Sequence, residues 1–450
     1  MDAINNFLGF INDNYLWGPP MLVLLFGTHL FLTFRLKFIQ RYIPLAVRLS
    51  LGRSKEGEGD ISQFGALTTA LAATVGTGNI VGVATAVALG GPGAVLWCWL
   101  TGVFGIATKY SEALLSVKYR IKTTDGSMAG GPMYVLERAL GMKWAGTLFA
   151  VFTAIAAFGI GNVVQANSIS DLAKQSAGIP LWVTGLALTA LTAIVILGGI
   201  KSIARACEGL VPFMAAFYVL GCLIILALNL PDMPATVSII FKSAFTGQAA
   251  VGGFAGAVVL QAVRWGTARG LFSNESGLGS APIVAAAAQT RNPVRQALVS
   301  STGTFWDTVV VCAMTGLVLV NTGSWQTGLK GAALTKNAFD QIPVLGPLVL
   351  NVGLLTFVFS TILGWSYYGE KAVEYLLGKK AVLPYRFMWV ALVMVGSITL
   401  PDVVWGFADA ANALMALPNL LALLLLSGVI VAETKKYLWT NNLDKAVSDI

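Results

Sequence analysis

Long apolar stretches alternate along this chain with short segments that carry most of its charged residues. Most of these stretches reach the roughly 20 residues that a helix needs to cross the hydrocarbon core of a bilayer. The seventh is too long for one straight helix, because about 40 residues at about 1.5 Å each far exceed the thickness of that core. The pattern predicts eleven membrane spans, near residues 16–36, 62–90, 93–119, 146–173, 180–200, 208–230, 250–290, 297–320, 346–371, 385–401 and 404–432. The seventh must include a break, a tilt or an interfacial part.

The composition also indicates an all-α polytopic membrane protein. Of the 450 residues, 56% are hydrophobic and 11% are charged, against about 25% charged residues in an ordinary soluble domain. With the N-terminus outside, 23 of the 29 Lys and Arg residues fall on the inner side and 4 on the outer side. This bias predicts an N-out, C-in orientation for a single transmembrane domain that covers residues 1–450. The net charge of +8 therefore reflects topology and does not indicate a nucleic-acid partner.

The stretch "ATVGTGNIVG", residues 73 to 82, places poor helix formers in the middle of the second span. Glycine lowers helix stability, and Thr and Asn side chains compete for backbone hydrogen bonds. Irregular backbone at this depth must line a cavity or be buried in protein. A helix break here would offer free carbonyls to a bare cation and free N–H groups to a carboxylate. Alternatively, Gly78 and Gly82 form a GxxxG pair that only lets another helix approach closely.

Two further spans carry polar side chains near the same predicted depth. Gln165 lies near the middle of the fourth span, and Ser360 and Thr361 lie near the middle of the ninth. Trp365 shares a helix face with Thr361, where it would cap an apolar pocket. For the three polar residues, the alternative is an ordinary hydrogen bond within one helix or between two.

The seventh span contains "VRWGTARGLFSNESGLGSAP", residues 263 to 282. Its charged residues, Arg264, Arg269 and Glu275, are costly inside a membrane and so are candidates for function. We expect the helix to break between Trp265 and Asn274. We also expect Arg269 and Glu275 to form a structural ion pair that locks the broken helix.

The second and seventh spans are five spans apart, so they run in opposite directions. This is the geometry of an inverted repeat of five plus five spans, with a binding site at the interface of the two repeats. We therefore expect repeats at 62–230 and 250–432, and an additional helix at 16–36.

Several longer motifs resemble those of the alanine or glycine:cation symporter family. They are "GTGNIVGVATAVALGGPGA", "AGGPMY", "GIGNVVQANS", "LGGIKSI", "RGLFSNESGLGSAPI" and "GWSYYGEK". The resemblance covers nearly the whole chain. It implies membership of the amino acid–polyamine–organocation superfamily and a leucine-transporter-like fold. It also implies a secondary active transporter in a prokaryotic cell membrane, which is not an enzyme and uses Na⁺ as coupling ion with no organic cofactor.

The resemblance further implies a sodium site between the second and ninth spans. The carbonyls of Ala72 and Val75, with the hydroxyls of Ser360 and Thr361, would bind Na⁺. These are the oxygen ligands that a hard cation prefers. Asn79 matches a position that helps to bind a second sodium ion in the leucine-transporter branch, and one or two sodium sites both remain open.

A substrate site is implied beside this sodium site. The N–H groups of Thr77 and Gly78 would hold the substrate carboxylate. The amino and methyl groups would be surrounded by Gln165, Ala268, Arg269, Gly270, Leu271, Phe272, Thr361 and Trp365. The bulk of these side chains suggests a small amino acid.

The predicted function is sodium-coupled import of small neutral amino acids, alanine or glycine with D-alanine as a further candidate, by alternating access. Proton coupling through Glu275, the one acid evident near mid-depth, is an alternative, and so is another substrate such as glutamine or serine. A channel is a remote alternative, since no repeated filter sequence is present. A membrane enzyme is disfavoured by the single histidine and the lack of a metal or Ser/His/Asp arrangement. The oligomeric state stays open.

Overall fold

A computed structural model describes residues 2–52, 57–246, 255–399 and 402–446 of the chain. The first residues of the predicted seventh span, 250–254, lie outside the described residues. The last residues of the predicted tenth span, 400–401, lie outside them as well.

The helices follow the predicted apolar stretches, since in a bilayer a helix satisfies its backbone hydrogen bonds internally. The first half contains α1 (Asp2–Ile11), α2 (Pro19–Arg35), α3 (Ile43–Ser50), α4 (Gln63–Thr74), α5 (Val83–Gly90), α6 (Gly93–Lys118), α7 (Pro132–Leu140), α8 (Lys143–Phe158), α9 (Val164–Ala177), α10 (Leu181–Ile196), α11 (Gly199–Leu228) and α12 (Met233–Phe245). A short antiparallel ribbon of β1 (Ile121–Lys122) and β2 (Met128–Ala129) lies between α6 and α7.

The second half contains α13 (Ala255–Asn274), α14 (Pro282–Ala285), α15 (Pro293–Thr304), α16 (Ala313–Asn321), α17 (Gly331–Asp340), α18 (Leu345–Leu377), α19 (Val382–Ile398), α20 (Asp402–Leu414), α21 (Ala416–Leu425) and α22 (Ser427–Thr434). Wider π-helical turns interrupt or end several helices, at Asn12–Leu16, Gly78–Gly82, Gly159–Val163, Phe305–Cys312 and Lys435–Trp439. Short 3-10 turns lie at Ile39–Tyr42, Leu230–Asp232, Ser324–Thr327 and Lys379–Ala381.

Seven helices among the described residues are long and apolar enough to cross a membrane. An eighth candidate is the pair Gln63–Thr74 and Gly78–Gly90, whose two halves meet at 52°. The helix Leu181–Ile196 is apolar but shorter. Each of the eleven predicted spans coincides with at least one described helix, while the count of eleven crossings and the orientation stay predictions.

Two helices, α6 and α18, lie at the centre of the packing. Helices α2, α13 and α15 pack on α6, whereas α4, α8 and α11 pack on α18. The contact between α13 and α6 is close because it uses glycine: a Cβ on Gly266 would lie 2.4 Å from the carbonyl oxygen of Ala94. A Cβ on Gly270 would likewise lie 2.1 Å from the hydroxyl of Thr101. Small residues thus bring the first part of the seventh span against α6, as in other membrane helix pairs.

Candidate functional site

The second span is broken where the sequence predicts it. Helix α4 ends at Thr74, Val75 is extended, and the chain resumes as the π-helical turn Gly78–Gly82 that leads into α5. A helix end leaves its last carbonyls and its first N–H groups without partners in the same helix. The break therefore offers both kinds of backbone group inside the protein.

Asn79 fixes the backbone conformation of this break through the hydrogen bonds of its side-chain amide. Its side-chain oxygen accepts a hydrogen bond from the Gly76 N–H at 2.8 Å. Its side-chain nitrogen donates to the Asp307 carboxylate at 2.7 Å. The hydroxyls of Ser273 and Thr308 donate to the other oxygen of Asp307, at 3.0 and 2.6 Å. One buried carboxylate thus connects the first break to the seventh and eighth spans.

The predicted sodium ligands on α4 and α18 lie against one another. The Ser360 hydroxyl donates to the Ala72 carbonyl at 3.2 Å. A Cβ on Gly76 would lie 2.7 Å from the Thr361 hydroxyl, so Thr361 is directly beside the break. Val75, the remaining predicted ligand, is the buried residue that ends α4.

The close approach of α4 and α18 depends on Gly364. A Cβ there would lie 2.6 Å from the Ala73 nitrogen. The two backbones are therefore near enough for side chains of α18 to reach the carbonyls of α4.

Two cavities that share part of their lining lie on the other side of the break. The inner one, called the chamber here, has a volume of about 30 Å³ and is lined by Ala73, Thr74, Gly76, Thr77, Gly78, Ile160, Gln165, Phe272, Ser273, Glu275, Thr361, Trp365 and Asn412. The outer one, called the vestibule, measures about 430 Å³. Both share Thr77, Gly78, Ile160, Gln165 and Phe272. These shared residues form the boundary between an entrance and a small inner chamber.

The chamber contains one carboxylate, Glu275, which two donors hold in place. The Trp365 indole N–H donates to it at 3.1 Å, and the Ser280 hydroxyl donates to its second oxygen. Gly161 allows Trp365 to pack tightly, since a Cβ on that glycine would lie 2.4 Å from the Cβ of Trp365. Trp365 thereby lines the chamber and also orients the carboxylate.

The predicted position of the second break is wrong. Helix α13 continues without interruption through Trp265 to Asn274, and the irregular segment follows it, at residues 275–281. Glu275, Gly277 and Gly279 there have φ values of 54°, 92° and 86°. Glycine adopts this left-handed region without a steric penalty. The glycines inside α13 serve helix packing instead.

Glu112 of α6, which the sequence analysis did not select, holds the second break. One of its carboxylate oxygens accepts the N–H groups of Gly277 and Gly279 at 3.0 and 3.1 Å. It also accepts the side-chain nitrogen of Asn419 at 2.7 Å. Glu275 is therefore not the one acid at the breaks, because Glu112 and Asp307 are buried there too.

Arg269 and Glu275 do not form the expected ion pair. Arg269 lines the vestibule, and its guanidinium lies over the rings of Trp265 and Phe272. The Nε of Arg269 has no hydrogen-bond partner among the described residues. Of the predicted stretch 268–272, Arg269 and Phe272 line a cavity. Ala268, Gly270 and Leu271 are buried in helix packing and line neither cavity.

Asp307, Glu112, Ser273 and Asn412 are the functional candidates that the sequence analysis missed. Each is a polar residue in a predicted span. Ionisable residues inside membrane spans are candidates for function by default. The charge of Glu112 and Asp307 within predicted spans is therefore the sequence feature that indicates these two acids.

At the end opposite the vestibule, loops close the molecule. The Asp60 N–H donates to the Ala287 carbonyl at 2.7 Å, and the Gln289 N–H donates to the Ile61 carbonyl at 2.8 Å. Arg120 joins both loops, because its guanidinium donates to the carbonyls of Ala286, Ala288 and Glu58 at 2.8 to 2.9 Å. Burial lowers the pKa of Arg120 from its ordinary value. We call these contacts the inner seal.

Comparison with known proteins assigns this arrangement to a family. A model of the sodium:alanine symporter family matches residues 1–449. The chain belongs to that family. An uncharacterized transporter of Haemophilus influenzae is 53% identical over 430 residues, covering 94% of each chain. The sodium/alanine symporter AgcS of Methanococcus maripaludis is 52% identical over 445 residues, covering 96% of this chain and 97% of AgcS.

The fold of this family member is also found among solved structures. A crystal structure of MhsT in complex with L-phenylalanine superposes with a TM-score of 0.58 at 16% identity, over 86% of this chain and 95% of MhsT. The leucine-transporter-like, all-α fold predicted from the sequence is confirmed. The chain is a multi-pass cell-membrane transporter with prokaryotic relatives, and it is not an enzyme.

Proposed function

We propose that this symporter couples the import of a small neutral amino acid, alanine or glycine, to sodium by alternating access. The observation that carries the proposal is the first break itself. On one side it faces the hydroxyls of Ser360 and Thr361, and on the other it lines the chamber. One irregular segment can therefore contact both a cation and an amino acid.

The cation would bind between α4 and α18. Carbonyls of Ala72 and Val75 and the hydroxyls of Ser360 and Thr361 supply neutral oxygens, which suit a hard cation such as Na⁺. Sodium bound there would fix the end of α4 against α18 and thereby order the break.

The amino acid would bind in the chamber, with its carboxylate at the N–H groups of Thr77 and Gly78. Because the same backbone segment carries both sites, sodium binding would favour the conformation that binds substrate. By thermodynamic linkage, substrate would in turn raise the affinity for sodium. At about 30 Å³ the chamber has room for about two water molecules. It would have to widen even for alanine and much further for larger side chains, which favours alanine or glycine.

Alternating access is supported by the asymmetry of the molecule. The vestibule leads to the chamber from one end, while the inner seal closes the other. With the predicted N-out orientation, the described conformation faces outward.

Uptake of radiolabelled alanine into proteoliposomes tests the proposal. We expect accumulation when an inward sodium gradient is imposed, and little uptake when potassium replaces sodium. Equal uptake in both would contradict sodium coupling. A parallel assay with an imposed proton gradient and no sodium distinguishes proton coupling, for which Glu275→Gln should remove the pH dependence.

A further inference from the structure

Two buried amide oxygens in the chamber wall lack a hydrogen-bond partner among the described residues. They belong to Gln165 and Asn412, whose residues are 6% and 1% exposed. The Gln165 side-chain nitrogen donates to the Ile160 carbonyl at 2.8 Å, which fixes the orientation of that amide. A buried acceptor without a donor costs free energy. Both oxygens are therefore positioned to receive donors from a bound molecule.

Asn412 reaches the chamber because α20 packs closely on the π-helical turn Gly159–Val163. A Cβ on Gly159 would lie 2.1 Å from the Cβ of Ala408, so the missing side chain permits this contact. Asn412 is one helical turn beyond Ala408 and so lies on the same face of α20. It thereby lines the same small cavity as Ile160 and Gln165 of the fourth span.

Two anchors hold α20 in this position. The Asn12 side-chain nitrogen donates to the Gly406 carbonyl at 3.0 Å, and the Trp17 indole donates to the Asp409 carbonyl at 3.3 Å. Both donors come from the segment before α2. The segment that precedes α2 therefore fixes the position of a chamber residue.

The remaining polar groups of the chamber suit a zwitterion. Thr77 and Gly78 lie at the start of a helical segment, whose first N–H groups favour a carboxylate. Glu275 supplies a carboxylate, and Gln165 and Asn412 supply neutral oxygens. A primary ammonium carries three N–H donors, which can bond to the amide oxygens of Gln165 and Asn412, and a positive charge, which the Glu275 carboxylate attracts.

We propose that the amide oxygen of Asn412, together with that of Gln165, accepts hydrogen bonds from the substrate ammonium. This inference rests on the proposed function. Asn412 then selects ligands with a free primary amine. The hydroxy-acid analogue lactate, which replaces the ammonium by a hydroxyl, and N-methylalanine, which removes one donor, should bind more weakly than alanine.

The test measures competition by alanine, N-methylalanine and lactate for labelled alanine uptake in sodium, with full-length protein in proteoliposomes. Asn412→Leu removes the amide at similar volume, and we expect the alanine affinity to fall about tenfold or more. The affinity for lactate should change by less than about twofold, since lactate has no ammonium to lose its partner. Asn412→Asp keeps an acceptor and should retain the preference for alanine over lactate.

Asn162→Leu is the matched control. Asn162 is a buried asparagine whose side-chain oxygen also has no hydrogen-bond partner among the described residues, but it lines neither cavity. It should leave the ratio of alanine to lactate affinity unchanged. If Asn412→Leu does not yield folded protein, Asn412→Ser and Asn412→Asp provide the comparison by the same ratio.

Two different results would overturn the proposal. If Asn412→Leu keeps the alanine affinity, or lowers the affinities for alanine and lactate equally, Asn412 does not contact the ammonium. If the unaltered protein takes up no alanine in sodium, the proposed function fails first and this inference fails with it.

Discussion

At the scale of single residues, Gly76 is the most constrained glycine of the first break. A Cβ there would lie 2.7 Å from the Thr361 hydroxyl, a proposed sodium ligand. At Gly78 the nearest atom, the Cα of Ser273, would be 3.4 Å away, an ordinary contact. A methyl group therefore fits at Gly78 but not at Gly76.

We therefore expect Gly76→Ala to weaken sodium binding. Displacing a packed group costs about 1–3 kcal/mol, so the sodium concentration for half-maximal uptake should rise by about tenfold or more. Gly82→Ala is the control, since a Cβ there would approach no atom closer than 4.0 Å. A normal sodium dependence in Gly76→Ala would show that Thr361 does not contribute to the ion site.

At the scale of helices and breaks, the sequence shows where residues of low helix propensity cluster, but it does not show which distant residues pack together. The first break was predictable, because Thr, Gly and Asn cluster at one point of a span of known depth. The position predicted for the second break was wrong. Gly266 and Gly270 lower helix stability, as residues at a break do, yet in the structure they lie inside α13 and pack against α6. Their partners, Ala94 and Thr101, are more than 150 residues away, and a single sequence does not show such contacts.

The same limit applies to the polar residues that hold the breaks. Through the family resemblance, Asn79 was expected beside the substrate and at a possible second sodium site, whereas in the structure both ends of its amide are used by Gly76 and Asp307. Which of several buried polar groups bind one another is decided by helix packing. The proposed ligands on α4 and α18 were predictable only through the family resemblance.

The network of Asn79 and Asp307 gives a prediction at this scale. Asn79→Ala removes a donor from a buried carboxylate, and hydrogen bonds to charged groups contribute about 1.5–3 kcal/mol each. We expect Asn79→Ala and Asp307→Ala each to lower the apparent melting temperature of the protein in detergent. The double variant should lose less stability than the sum of the two single losses, because both single changes remove the same contact between Asn79 and Asp307.

A change outside this network serves as the control for that measurement. Within the part of the chain that the structure describes, Asn351→Ala removes one side-chain hydrogen bond, a long contact of 3.5 Å with the exposed Ser176, so the melting temperature should hardly move. Additive losses in the double variant would mean that Asn79 and Asp307 act independently, and that Asp307 does not support the break.

At the scale of the whole molecule, the two ends of the transport path differ. The vestibule is open at the end where α5 and α9 finish, while at the other end the loop before α4 pairs with the loop after α14. Each of these loops adjoins one broken span. We therefore expect a movement of either broken span to shift a loop of the seal, as a symporter needs in order to open one side at a time.

Arg120 is the residue through which the seal can be opened experimentally. It donates three hydrogen bonds across both loops, and each bond from a charged group contributes about 1.5–3 kcal/mol. Arg120→Ala should therefore shift the population toward a conformation open at the sealed end, by about tenfold or more, since about 1.4 kcal/mol is enough for that change. Lys122→Ala is the control, because among the described residues the Lys122 ammonium pairs only with the exposed Glu58 carboxylate at 3.9 Å, and such pairs contribute little. The measurement uses Thr74→Cys, which places a cysteine in the lining of the chamber. The four native cysteines are buried. The measured quantity is the rate at which a membrane-impermeant thiol reagent labels the introduced cysteine. Reagent added from the sealed end should react faster in Arg120→Ala and unchanged in Lys122→Ala, and equal rates in both variants would mean that the loops stay closed without the arginine.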